Sequence, residues 1–221
     1  MKKLVLLLAL MFGGQFLFAQ DKEHDANAHM HRNSTDRLIN VFNNPERDKW
    51  QKPELVIAKM GDLSDKTVMD LGAGPGYFTM KLADHAAKVI AAEPNQEFVD
   101  HLNQELNKEE FSNYRHKIDV RKIPYDSPLL NASEVDFILL VNAYHHVENR
   151  VEYFRNVLPG LKSGGKLMIV DYTMKTKHGP PQDHKLAAEV VLQELKSAGY
   201  QVQEYDTETL PRQYVIIAGK Q

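Results

Sequence analysis

Three glycines and two carboxylates form the part of the sequence with the clearest chemistry. Gly72, Gly74 and Gly76 occupy alternate positions in one short segment, directly after an apolar run. Since glycine has no side chain, the backbone can turn sharply there and approach a ligand closely. Asp70 precedes the first glycine by two residues, and Glu93 follows the glycines at about the 20-residue separation that is typical of an acid contacting a nucleotide ribose.

The residue types around this turn indicate which nucleotide it could hold. A carboxylate has two oxygens, so Glu93 can accept hydrogen bonds from two neighbouring ribose hydroxyls. A dinucleotide site has a glycine at the sixth position of its pattern, where this chain has Tyr77. Asp70 would be unfavourable beside a pyrophosphate and useful beside an ammonium group. A nicotinamide dinucleotide nevertheless stays open as an alternative.

Histidines and a further acid follow two later apolar runs. His145 and His146 come just after residues 136–141, and Asp171 ends the run at residues 166–171. A neutral histidine is a suitable general base near pH 7, so we expect these three side chains at the mouth of the site with a catalytic role. Their spacing matches no standard ligand pattern, and no metal site is predicted.

Short apolar runs of this kind must supply the elements that hold these residues. Five of them, rich in β-branched residues, predict strands at 67–71, 88–92, 117–121, 136–141 and 166–171. Helical patterns at 77–85, 96–107 and 151–161 lie between them, and a longer one covers 183–198. Two more strands, 201–205 and 213–218, are predicted to form an antiparallel pair. This alternation predicts an α/β fold, a parallel sheet with helices on both faces.

Length and composition limit the classes of protein. The 221 residues suffice for one α/β domain and hardly for two. With 27 basic and 30 acidic residues the chain has no basic excess, and no nucleic-acid partner is expected. The chain has no cysteine, which excludes disulfides and thiolate chemistry.

The first 34 residues differ from the rest. Lys2 and Lys3, an apolar run and a small residue at Ala19 predict a signal peptide over 1–19, and hence an exported, periplasmic protein without stable membrane insertion after cleavage. An uncleaved anchor is the alternative. Residues 20–34 are interpreted as a flexible His-rich leader and 35–221 as the folded domain. Helices predicted within 35–60, which carry Trp50, either cover the site as a lid or simply pack on the core.

The order acid, apolar, Gly, x, Gly, x, Gly resembles the S-adenosylmethionine (SAM) binding loop of class I methyltransferases. The likeness extends from about residue 47 to the C-terminus; residues 158–166 resemble the helix-to-fifth-strand turn of that family, with Gly164 and Gly165 suited to a helix C-cap. Residues 47–53 and 178–181 are similar to a bacterial subgroup of methyltransferases. The family has a Rossmann-like, seven-stranded, mostly parallel sheet whose last strand is antiparallel.

The resemblance also implies which residues bind the cofactor and what reaction follows. SAM would contact the acids and glycines of the two segments and, near its methionine end, a residue after the fourth strand: Asp70, Gly72, Gly74, Gly76, Glu93 and Asn142. The acid that meets the adenine amino group in many members is missing, and Asp126 is the nearest substitute. The expected activity is methyl transfer to a small-molecule acceptor. Alternatives are an NAD-dependent oxidoreductase and a non-catalytic exported binding module, and nothing indicates the oligomeric state.

Overall fold

A computed structural model describes residues 34–220. The strands are β1 Thr67–Leu71, β2 Lys88–Glu93, β3 Ile118–Lys122, β4 Val135–Val141, β5 Leu161–Tyr172, β6 Tyr200–Asp206 and β7 Gln213–Lys220. The helices are α1 Thr35–Phe42, α2 Arg47–Gln51, α3 Pro53–Ala58, α4 Tyr77–His85, α5 Gln96–Asn107, α6 Arg150–Val157 and α7 Ala188–Ser197. The predicted signal peptide and all but the last residue of the predicted leader lie outside the described residues.

The seven strands form one sheet in the order β3-β2-β1-β4-β5-β7-β6. Strands β3, β2, β1, β4 and β5 pair in parallel, and β7 pairs antiparallel with both β5 and β6. The predicted fold class and the inserted antiparallel strand are therefore confirmed. The strand order reverses between β1 and β4, which opens a crevice at the carboxyl end of β1, where ligands bind in sheets of this type.

Burial explains why the central strands are largely apolar. Most residues of β1, β2 and β4 are buried, because helices cover both faces of the sheet. Two hydrophobic clusters result, one on each face: α6 and α7 pack over one, and α3, α4 and α5 over the other. This packing fixes the carboxyl ends of the strands, and hence the loops that follow them.

The expectation that Gly164 and Gly165 form a helix C-cap is wrong. Gly164 and Gly165 do not cap a helix; they lie inside β5, which begins at Leu161. The register between β4 and β5 shifts there, because Val135 pairs with Leu161 and Phe137 with Lys166. The extra residues of β5 interrupt the pairing with β4, and Gly164 has a φ of 73°, which only glycine adopts easily.

The N-terminal helices pack near the carboxyl edge of the sheet. The Trp50 ring of α2 stacks on Tyr172 at the end of β5 with centroids 6.1 Å apart, and the Arg212 guanidinium lies 5.0 Å from the Trp50 ring. Lys59, just after α3, forms ion pairs of 2.6 and 2.8 Å with Glu204 and Asp206 of β6. Within 34–220, none of the helices is long and apolar enough to span a bilayer.

Candidate functional site

The glycine turn joins β1 to α4 and has the geometry that its sequence requires. Gly72, Gly74 and Gly76 have φ values of 77°, 56° and 96°, in the left-handed region that strongly favours glycine. The turn is also crowded, since a Cβ on Gly72 would lie 2.8 Å from the Cβ of Ala143 in the loop after β4. The Gly72 amide donates to the Ala92 carbonyl at 2.8 Å, which holds the turn against the end of β2.

Glu93 lies directly against this turn, as the sequence predicted. Its Oε2 accepts a hydrogen bond of 2.8 Å from the Gly74 amide, and its Oε1 accepts one of 2.8 Å from the Asn95 amide. Glu93 lines a cavity, although only 5% of the residue is exposed. Burial raises the pKa of Glu93 to about 7, although the two amide hydrogen bonds act in the opposite direction. Each oxygen keeps further acceptor capacity for a ligand.

Asp70 is the second buried carboxylate of the cavity. Its Oδ2 accepts a hydrogen bond of 2.7 Å from the Thr79 hydroxyl of α4. Burial raises the pKa of Asp70 to about 6, while the Thr79 hydrogen bond and the positive charge of Arg47 lower it. The carboxylate therefore adds negative charge to the wall of the cavity at neutral pH.

Arg47 at the start of α2 is a site residue that the sequence reasoning missed. Its Nε donates to Gln51 Oε1 at 2.8 Å, another guanidinium nitrogen donates to the Phe42 carbonyl, and the group stacks 3.9 Å from the Tyr77 ring centroid. Burial lowers the pKa of Arg47 from its ordinary value, but an arginine remains charged at neutral pH. The only signal in the sequence was its place in the segment 47–53, which was not assigned a role.

Asn142 follows β4 at the other side of the glycine turn, as expected. Its φ of 55° is left-handed, a conformation that asparagine tolerates better than most residues, and it lines the cavity. Its Oδ1 accepts a hydrogen bond of 2.6 Å from Gln213 Nε2. Asp70, Gly72, Gly74, Glu93 and Asn142 thus line one cavity, whereas Gly76, the residue directly before α4, does not line it.

The remaining wall is largely apolar. It is formed by residues from α1, α5, the loop after β3, the end of β4, the loop before α6 and α6 itself: Phe42, Phe98, Ile123, Pro124, Leu140, Val147 and Tyr153. Asp126 is exposed and does not line the cavity, so the loop after β3 contributes Ile123, Pro124 and Tyr125 instead of an acid. The cavity therefore combines a charged end near Arg47 and Asp70 with an apolar end beyond Glu93.

The two adjacent histidines face different ways. His146 lines the cavity. His145 is buried, and its Nδ1 lies 2.9 Å from both carboxylate oxygens of Asp171, which accepts a further hydrogen bond of 2.8 Å from the Tyr172 amide. His145 and Asp171 do not line the cavity, although the His145 ring lies 4.2 Å from that of His146. In the described part of the chain, no group of three or more acidic or histidine side chains is arranged to hold a metal ion.

Comparisons with known proteins agree with this geometry. Residues 69–169 match a family model described as a methyltransferase domain. A solved SAM-dependent methyltransferase from Aquifex aeolicus superposes with a TM-score of 0.76 at 23% identity, over 84% of this chain and 98% of that one. This chain has the Rossmann-like methyltransferase fold.

Curated relatives match only part of this chain and of their own length. An uncharacterized methyltransferase of Staphylococcus carnosus is 28% identical over 138 residues, which cover 62% of this chain and 61% of that protein. Phosphoethanolamine N-methyltransferase 1 of Triticum aestivum is 32% identical over 129 residues, 55% of this chain and 24% of the relative. The chain thus spans less than two thirds of the curated relatives that it matches.

Proposed function

We propose that this protein is a SAM-dependent methyltransferase acting on a small-molecule acceptor. The observation that carries the proposal is the Glu93 carboxylate held 2.8 Å from the Gly74 amide at the carboxyl end of β1. The methyltransferase-domain match at 69–169 and the relatives named as methyltransferases support the same enzyme class. The phosphoethanolamine enzyme of Triticum aestivum, named for a small molecule, supports the acceptor class.

The residues of the cavity fit the parts of SAM. Glu93 offers acceptors to the two ribose hydroxyls. Asp70 matches the ammonium of the methionine end, and Arg47 with Asn142 matches its carboxylate, because both offer hydrogen-bond donors at the charged end of the cavity. The apolar wall that includes Phe98 suits the adenine ring. Among residues 34–220, Arg47 is the only lysine or arginine that lines the cavity, so a pyrophosphate would meet a single permanent positive charge.

SAM, when bound, supplies a methyl group activated by a sulfonium. The chain itself then needs to hold the reactants in position and exclude water, which accounts for much of the rate of such transfers. His146 lines the cavity and can take a proton from a hydroxyl or amine acceptor. His145, fixed by Asp171, packs against the His146 ring and would restrict its orientation. We therefore propose that His146 is the general base and that the buried His145–Asp171 pair holds its ring in position.

The proposal is tested by calorimetry with S-adenosylhomocysteine (SAH), SAM and NAD, followed by transfer of a labelled methyl group from SAM to the small-molecule fraction of a cell extract. We expect micromolar SAH and SAM binding, no NAD binding and a labelled small product. Binding of NAD without SAM would overturn the enzyme class. Tight SAM binding with no labelled product from any fraction would favour a non-catalytic binding module.

Replacing His146 with alanine should lower methyl transfer by about 100-fold or more, the usual contribution of a general base, while the Kd for SAH stays within about twofold. The measurement is single-turnover transfer from labelled SAM alongside calorimetry. His116→Ala, which removes an exposed histidine before β3 that does not line the cavity, is the matched control. Equal transfer rates for wild type and His146→Ala would show that the acceptor needs no base or that another group supplies it.

The raised pKa values of the two buried acids predict opposite pH trends for folding and for binding. Because the folded protein holds the Glu93 and Asp70 protons more tightly than the unfolded chain, stability without ligand should fall as pH rises from about 4 to about 7. Ribose hydroxyls need an ionised Glu93, so SAH affinity should rise over pH 5–7 and level off above. Thermal denaturation and calorimetry measure the two trends; Glu93→Gln should flatten the binding trend and leave only the Asp70 part of the stability trend.

A further inference from the structure

Two buried glutamine side chains connect Arg47 to Asn142. Arg47 Nε donates to Gln51 Oε1 at 2.8 Å, Gln51 Nε2 donates to Gln213 Oε1 at 3.2 Å, and Gln213 Nε2 donates to Asn142 Oδ1 at 2.6 Å. Gln51 and Gln213 are 0% exposed. The connection joins the end of α2 to the first residue of β7 and the loop after β4, and the glutamines themselves do not line the cavity.

The direction of every hydrogen bond in this line follows from the guanidinium. Arginine can only donate, so Gln51 must turn its oxygen toward Arg47 and its Nε2 toward Gln213. Gln213 must then present its oxygen to Gln51 and its Nε2 to Asn142. Reversing any one amide would place two donors or two acceptors together in a buried place, which costs about 1–3 kcal/mol for each group left unsatisfied.

The consequence appears at the cavity. Because Oδ1 of Asn142 is taken by Gln213, its Nδ2 is the end left for the cavity that Asn142 lines, and it donates to no residue within 34–220. Arg47 likewise presents only donors. This end of the cavity therefore offers hydrogen-bond donors from both side chains, which is the arrangement that a carboxylate requires.

We propose that Gln51 and Gln213 are positioning residues for Asn142. Because Arg47 can only donate hydrogen bonds, the two glutamines orient the Asn142 amide so that its Nδ2 faces the carboxylate of the methionine end. The inference rests on the proposed function, because it assigns that carboxylate to SAM. Neither glutamine contacts the cofactor; each acts through the orientation of the next amide.

The decisive variant is Gln213→Glu. An ionised carboxylate can only accept, so it would draw Asn142 Nδ2 toward itself and turn Oδ1 into the cavity. We expect the Kd for SAH to rise at least about tenfold, because a charge-assisted hydrogen bond is replaced by repulsion. 5′-Methylthioadenosine carries the same adenosine without the amino acid. Because it has no carboxylate for Asn142 to contact, its Kd should change less than about twofold.

A double-mutant cycle separates positioning from the added charge. In an Asn142→Ala background, Gln213→Glu should change the Kd for SAH by less than about twofold, since the amide it acts through is gone. If Gln213→Glu fails to fold, Gln213→Met gives the same test without charge: SAH should bind roughly two- to fivefold more weakly, because Asn142 is no longer preorganised, and 5′-methylthioadenosine equally well.

The outcomes distinguish this inference from the function on which it rests. Equal weakening of both ligands, or an undiminished effect of Gln213→Glu on SAH in the Asn142→Ala background, would overturn the positioning role alone. Failure of the wild-type protein to bind either ligand would overturn the proposed function and the inference together. SAH-selective weakening that disappears in the Asn142→Ala background supports it.

Discussion

Replacing Glu93 with alanine is expected to weaken SAH binding by about 100-fold. A hydrogen bond to an ionised group contributes about 1.5–3 kcal/mol, so the loss of two ribose hydrogen bonds amounts to about 3 kcal/mol or more. Each 1.4 kcal/mol corresponds to about tenfold in Kd. The variant also removes the acceptor for the Gly74 and Asn95 amides, which loosens the turn itself. Isothermal titration calorimetry with SAH measures the effect.

Two further variants control this result. Glu97→Ala removes an exposed acid at the second residue of α5 that does not line the cavity, and we expect its Kd for SAH to match wild type. Glu93→Gln keeps one acceptor oxygen but sets an NH₂ group against a backbone amide, so an intermediate loss of roughly tenfold is expected. If Glu93→Ala bound SAH within about threefold of wild type, the assignment of Glu93 to the ribose would be wrong.

The glycine turn and Glu93 were predictable because each follows a strand that a short apolar run in the sequence predicts. An acid at the end of β2 must lie beside a turn at the end of β1, since the two strands pair in parallel from Thr67 with Lys88 to Leu71 with Ala92. The spacing of the acids and glycines and the strand order therefore determine this half of the site. The Gly74–Glu93 hydrogen bond confirms that reasoning.

The donor end of the site was not predictable in the same way. Gln51 and Gln213 are 162 residues apart in the chain, and they meet only because β7 inserts between β5 and β6 while α2 packs on the same edge. A glutamine in a short helix carries no local signal that distinguishes it from a solvated one. Arg47 was passed over for the same reason, since its role depends on Tyr77 and Asp70 from other elements.

The adjacent histidines show the limit of reasoning from strand ends. His145, His146 and Asp171 were all expected at the carboxyl edge, and the structure places them there. The short 3₁₀ turn at Tyr144–His146, however, directs His145 inward to Asp171 and leaves His146 in the cavity lining. Sequence position fixes which edge a residue reaches, whereas the turn geometry decides which side chain faces the ligand. The catalytic assignment of all three residues stays a prediction.

Gly72→Ala should both destabilise the protein and abolish most of its SAH affinity, and Gly61→Ala is its matched control. The two glycines have nearly the same φ, 77° and 79°, so both variants incur the left-handed backbone cost of about 1–2 kcal/mol. A Cβ on Gly61 meets nothing within 4 Å, whereas one on Gly72 lies 2.8 Å from the Ala143 Cβ. Normal carbon contacts are about 3.5–4.0 Å, so the 142–143 loop must shift.

That shift lowers the free energy of unfolding by about 1–3 kcal/mol more through overpacking, and it displaces Asn142 from the cavity wall. We therefore expect Gly72→Ala to lose roughly tenfold or more in SAH affinity, as for a lost charge-assisted hydrogen bond, while Gly61→Ala binds as wild type. Urea denaturation and calorimetry on both variants separate the backbone cost from the steric one. Equal stability and equal affinity of the two would mean that the turn can relax away from Ala143, and the tight approach of the two loops would then have no part in forming the site.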